Sequence, residues 1–234
     1  MQSVPVNQTR TQVVVNNFVR SVYNWMAVGL GLTGFVAFAV ANNESLLRIV
    51  FGNQMLFFGL IIAELGLVFY LSARVSKISP ATATGLFVLY AGLNGVTISF
   101  IFIVYTASSI ASTFFVCAAT FVASSIFGWT TKRDLTSMGS FMFMGLIGII
   151  IASVVNMFMQ SSAVAMIVSY VGVLVFVGLT AWDTQKLKNM ALTQPDGVDA
   201  GVVRKGAIIG ALSLYLDFIN LFLMLLHILG ASRE

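Results

Sequence analysis

Residues 135–182 read LTSMGSFMFMGLIGIIIASVVNMFMQSSAVAMIVSYVGVLVFVGLTAW, 48 residues without one Asp, Glu, Lys or Arg. About 20 apolar residues cross a hydrocarbon core as a helix, so this stretch is two crossings placed back to back. Backbone polar groups in lipid are satisfied only by helices and closed barrels. A continuous apolar run, rather than the alternation of a barrel strand, selects helices. Residues 21–43 and 78–131 are likewise free of charge. The chain of 234 residues is 59% hydrophobic and 9% charged, where a soluble domain carries about 25% charged residues. No water-soluble surface can be built from so little charge. The reading is an all-α integral membrane protein.

Seven crossings fit, at about 22–42, 54–73, 81–104, 109–129, 138–159, 163–184 and 207–229. The long uncharged stretches divide where small and polar residues cluster, at Tyr105-Thr106-Ala107-Ser108-Ser109 and at Gln160-Ser161-Ser162. Residues 1–20 form a polar arm without the apolar core of a signal peptide, and residues 21–234 form one seven-helix transmembrane domain. With the amino terminus inside, the inner segments hold Arg10, Arg20, Arg74, Lys77, Lys132, Arg133, Lys186, Lys188, Arg204 and Lys205, and the outer segments only Arg48 and Arg233. That asymmetry predicts a cytoplasmic amino terminus. A six-crossing chain whose last segment dips in and out is the competing topology. The net charge of +4 lies in loops beside the bilayer, so it is topogenic and lipid-facing and implies no nucleic-acid partner.

Charge inside the crossings points to function. Asp183 directly follows the opening stretch, and Asp217 sits some ten residues into the last crossing. A carboxylate at membrane depth costs roughly 2.5–3.5 kcal/mol on insertion scales, and it marks a functional site by default. Glu64 lies mid-depth in the second crossing, where a glutamate has no snorkelling route. Arg74 ends that crossing, as a topogenic charge or as a counter-ion. Asn220 is one turn from Asp217 on the same face. On straight helices with these boundaries, Asp183 and Asp217 differ in depth by roughly 15 Å. They meet only if the sixth crossing runs further inward or the seventh starts deeper.

Other patterns read more plainly. Gly29-Leu30-Gly31-Leu32-Thr33-Gly34 matches a dinucleotide fingerprint letter for letter, but it lies inside a crossing and reads as close helix packing. GAIIG (206–210) and AGLNG (91–95) read the same way. Gln194-Pro195-Asp196-Gly197 signals a turn in the loop 185–206. One His and one Cys exclude a zinc site of the usual kind, and no resident cofactor is implied. A tight calcium site needs six to eight oxygens. Asp183 and Asp217 with a few amides offer a transient, partly hydrated calcium site, suited to passage rather than storage.

The strings GLTAWDTQKLK (178–188) and ALSLYLDFINLF (211–222) resemble the Bax inhibitor-1 family, also called the transmembrane Bax-inhibitor-motif family. The likeness covers essentially the whole chain and resembles a bacterial member, which implies a bacterial inner-membrane location. The resemblance implies six helices around a central seventh, and two aspartates, matching Asp183 and Asp217, that share a proton. It implies an arginine linked to them, matched by Arg74, and a glutamate matched by Glu64. The implied activity is a pH-sensitive leak of calcium or other cations. Asp183, Asp217 and Arg74 are then the expected gate, and Glu64 and Asn220, polar groups at membrane depth, the expected ion path. Two carboxylates held close titrate as a unit, which suits a gate biased by protonation.

Two other readings compete. A regulatory protein would bind a membrane protease or a stress or cell-death component through the arm or the 185–206 loop. An intramembrane aspartyl protease would also carry paired aspartates. That class has Gly-x-Gly before the second aspartate, however, and this chain has Leu214-Tyr215-Leu216. The expectation is therefore a leak and not an enzyme.

Overall fold

Side chains that accept the free N–H groups of a helix start set several of the boundaries. In the computed structural model, Asn43 accepts Leu46 N, Asn53 accepts Leu56 N, Ser79 accepts Thr82 N ahead of Pro80, and Thr106 accepts Ser109 N. The structure describes the backbone of residues 6–193 and 198–233 and the side chains from residue 15 onward. The turn expected at 194–197 lies outside the described residues. The helices are α1 (Val6–Ala41), α2 (Glu44–Gly52), α3 (Gln54–Arg74), α4 (Pro80–Ile98), α5 (Ile101–Val104), α6 (Ala107–Thr130), α7 (Thr136–Met159), α8 (Ser162–Leu192) and α9 (Ala200–Leu229).

Seven spans among the described residues are long and apolar enough to cross a membrane: Val15–Ala41, Gln54–Arg74, Pro80–Val104, Ala107–Thr130, Thr136–Met159, Ser162–Leu192 and Ala200–Leu229. The seven-helix, all-α membrane architecture stands. Within α9, 61% of the most apolar stretch is buried, more than in the other six, which is the burial of a central helix. Its 30 residues are one unbroken helix, about 45 Å long at 1.5 Å per residue. A segment that dips in and out needs a break, so the six-crossing topology falls.

Three boundaries differ from the sequence reading. α1 begins at Val6 rather than near 22, because VNQTRTQVVVNNFVR has no Gly or Pro to stop a helix. α8 continues to Leu192, since Lys186, Lys188 and Asn189 extend a helix beyond its apolar part. α9 starts at Ala200 rather than near 207. The connection between α8 and α9 is thus shorter than the 185–206 expected, and Asp183 is interior to its helix. The third crossing is broken at Ser99-Phe100, between α4 and α5, where Ser99 Oγ donates to the Val96 carbonyl (2.7 Å).

The chain packs as two compact units, Met1–Ile103 with Leu187–Ser213, and Val104–Lys186 with Leu214–Glu234. In the first, α1 lies on α4. Thr33 Oγ1 donates to the Ala91 carbonyl (2.8 Å), and a Cβ on Gly95 would meet the Thr33 carbonyl at 2.7 Å. Gly210 approaches Leu187 and Val22 as closely, so AGLNG and GAIIG do mark tight packing. Gly31 and Gly34 do not, since a Cβ on either has nothing within 4 Å. The buried stripe of α1 is Val22, Met26, Thr33, Ala37 and Val40, a helical period that leaves those glycines on the outer face.

In the second unit, the residues after α9 return to the turn before α6. Arg233 N donates to the Val104 carbonyl (2.8 Å), Thr106 N to the Ala231 carbonyl (3.1 Å), and Ala231 N to Ser109 Oγ (3.0 Å). Before α7, Asp134 Oδ1 accepts both Thr136 N (2.9 Å) and Thr136 Oγ1 (2.6 Å). Those two bonds hold its carboxyl below the usual carboxylate range. A depressed acid adds stability above its unfolded value, near pH 3.9, and loses it as pH falls through the folded value. Asp134→Ala is therefore expected to narrow the gap between the unfolding temperatures at neutral and strongly acid pH, as measured by a thermal melt in detergent.

Candidate carboxylate site

Asp183 and Asp217 both belong to the second unit. Two close approaches there set the register of α8 against α9. Ser169 Oγ and His227 Nδ1 are 2.6 Å apart, and a Cβ on Gly172 would meet Met224 at 2.9 Å. In both pairs the two residue numbers add to the same total, as antiparallel neighbours do. Carried along the pair, that register sets Asp183 level with residue 213, four residues from Asp217, or about 6 Å along the axis. The roughly 15 Å offset expected from sequence narrows to that value because α9 begins beyond the level of Leu192, where the sequence reading set the two helix ends level. The Asp183 carboxylate acts electrostatically on Asp217, and Lys186 acts on Asp183.

Asp217 is buried within the protein. It is 5% exposed, and its Oδ2 is buried with no hydrogen-bond partner among the described residues. Phe218, the next residue, packs edge-on against Phe121 and Phe114 with ring centres 5.4 and 5.6 Å apart. Its carbonyl accepts Cys117 Sγ at 3.6 Å. Asn220 is half-buried on the same helix, and its Nδ2 is spent on the Leu216 carbonyl (2.8 Å).

Asp183 is half-buried, and its stretch of α8 is fixed from two sides. Gln185 Oε1 accepts Leu135 N and Gln185 Nε2 donates to the Arg133 carbonyl, both at 2.8 Å. Gly128 lies directly against the Ala181 backbone, and Gly139 lies against the Trp182 indole. Gln185, Gly128 and Gly139 escaped the sequence reading, because glycines and a glutamine in or beside a crossing have no period that singles them out.

Glu64 and Arg74 belong to the first unit. Glu64 is buried, and both of its oxygens are occupied: Asn94 Nδ2 donates to Oε2 (3.2 Å) and Thr97 Oγ1 to Oε1 (2.9 Å). Buried Tyr90 lies within its electrostatic reach. The three partners share α4, close to its break at Ser99. The polar run AGLNGVTIS was the available signal, since Tyr90, Asn94 and Thr97 fall at helical spacing on one face. Removing a donor to a buried carboxyl costs about 1–3 kcal/mol. Thr97→Val, close in shape, is expected to lower stability by that amount in a detergent melt. Arg74 ends α3 and is exposed. Among the described residues, no three or more His, Cys, Asp or Glu side chains gather into a metal-holding group.

A family profile described as "Inhibitor of apoptosis-promoting Bax1" matches residues 15–234. The chain belongs to the Bax inhibitor-1 family. Among its relatives, the inner membrane protein YbhL of Escherichia coli strain K12 is 55% identical over 94% of this chain and 93% of the relative. An uncharacterised protein of Borreliella burgdorferi is 44% identical over 99% of each chain. One of Deinococcus radiodurans is 42% identical over all of this chain and 98% of the relative. In this member of the Bax inhibitor-1 family, both motif aspartates thus lie on neighbouring stretches of α8 and α9.

Proposed function

We propose that the protein is a pH-sensitive leak for calcium, as permeant ion, in a bacterial inner membrane, with the amino terminus cytoplasmic. The observation that carries the reading is the buried Asp217 carboxylate with an unpartnered oxygen, one helical turn in level from Asp183. Two carboxylates held this close, one of them buried, are costly to ionise together. A pair that holds one proton between them can trade it for a cation or for a changed helix packing. Either exchange biases a two-state gate built from α8 and α9. The role of Arg74 as counter-ion rests on the family resemblance, and those of Glu64 and Asn220 along the cation path rest on the cost of polar groups at membrane depth. Carboxylates beside a path favour cations over anions. The location draws on the name of the Escherichia coli relative and on seven apolar helices, and the orientation draws on the ten-to-two asymmetry of basic residues.

The direct test is efflux of trapped calcium from vesicles holding the purified protein alone. Efflux above that of empty vesicles, changing with pH, is the expected result. Efflux no faster than from empty vesicles at every pH sinks the proposal.

A further inference from the structure

A cavity of about 480 Å³ opens in the first unit beside the start of α9. That volume lies in the range of small-ligand pockets, about 300–1,000 Å³. Its walls are Val75, Met190, Val198, Val202 and Ile209, and Lys205 stands among them. The lining suits hydrocarbon rather than a polar metabolite. Lys205 Nζ donates one bond, to the Ser76 carbonyl (3.1 Å), and an ammonium has three donors.

Among the described residues, the charges next to the cavity are mostly basic. Arg74 and Lys77 flank Val75 and Ser76 in sequence and are exposed. Arg204 precedes Lys205 and lies over the Trp25 ring at 5.8 Å. The neighbouring described acid, Asp199, is engaged, with Oδ1 accepting Gly201 N at 2.7 Å. An apolar cleft between helix ends under a basic rim is matched by a molecule with a hydrocarbon chain and an anionic head. We propose that this cleft holds an acyl chain of one anionic phospholipid, with the lipid phosphate on Lys205. A zwitterionic lipid would bring its own ammonium against Arg74, Lys77 and Arg204. The inference stands apart from the leak, because binding is read without any flux.

The test titrates the detergent-purified full chain with dioleoyl phosphatidylglycerol, dioleoyl phosphatidylcholine or inorganic phosphate. Native mass spectrometry counts retained lipid, and a melt follows the unfolding temperature. The expected result is one retained phosphatidylglycerol and a raised Tm, with neither effect from phosphatidylcholine or phosphate. Lys205→Gln should weaken phosphatidylglycerol about fivefold, the effect of one basic residue near an anionic head. Val202→Trp fills the cleft from a position already 53% exposed and should abolish retention. Lys132→Gln, in the other unit, should change nothing. Equal retention of both lipids, stabilisation by phosphate alone, or undiminished binding by Val202→Trp would overturn the proposal.

Discussion

Vesicles carrying Asp217→Asn are expected to leak calcium at a rate that no longer follows pH. Asparagine keeps the size of the buried side chain, but it can neither hold an acid proton nor share one. A gate that exchanges one proton per opening responds by at most about tenfold per pH unit, because a proton's chemical potential changes by about 1.4 kcal/mol over that interval. The wild-type protein should approach that slope over part of the pH range, and the variant should be flat. The loss is large because Asp217 is buried with an unpartnered oxygen. A change in its charge cannot be absorbed by solvent and must be met by helix movement or by Asp183. Asn220→Ala is expected to do much less to the slope, since that amide is bonded within its own helix.

The second large effect is on stability. Gly128→Ala should lower the unfolding temperature by several degrees, because its Cβ would overlap the Ala181 carbonyl and backbone. Overpacking in a filled interior costs about 1–3 kcal/mol when side chains can shift. Here the neighbour is backbone, which has no rotamer to yield, so the cost belongs at the upper end or α8 must move off α6. Ala181 is two residues from Asp183, so such a movement would also disturb the carboxylate pair. Gly148→Ala is the control. A Cβ there meets nothing within 4 Å, and the lost flexibility of the unfolded chain should leave stability unchanged or raise it by about 0.4–1 kcal/mol. A detergent melt of the three proteins side by side decides the matter. Equal melting of Gly128→Ala and wild type would remove the close approach of α6 and α8 from the account.

Charge-free runs made the crossings legible, since lipid tolerates little else. The hairpin turns were legible for a related reason. Tyr105-Thr106 lies where α5 ends and α6 is capped, and Gln160 ends α7 in the left-handed region at φ 51°. The ends of α8 and α9 were not legible. Hydropathy fades at Lys186 and before Ala207, whereas the helices persist through polar residues that have no reason to stop them. The gap in depth between Asp183 and Asp217 came from setting those two ends level, whereas α9 begins beyond the level of Leu192.

The two carboxylates, Glu64 and Asn220 were found from the cost of polar groups in lipid, a property of single residues. The donors to Glu64 came from another helix, and the brace at Gln185 came from the 133–135 loop. Those are tertiary facts, and spacing along one helix does not carry them. The break at Ser99-Phe100 is of the same kind. Serine and phenylalanine both continue helices elsewhere in this chain, so their identity does not announce an interruption.

The claim that Asp183 and Asp217 act as one titrating pair is tested most directly by calcium efflux from proteoliposomes across a pH series. Wild type, Asp183→Asn, Asp217→Asn and the double variant are compared in one lipid mixture. Groups that act as a unit are not additive. The account predicts a steep pH response in wild type, a flat one in each single variant, and no further loss in the double variant. A wild-type pH response retained by both single variants would contradict it.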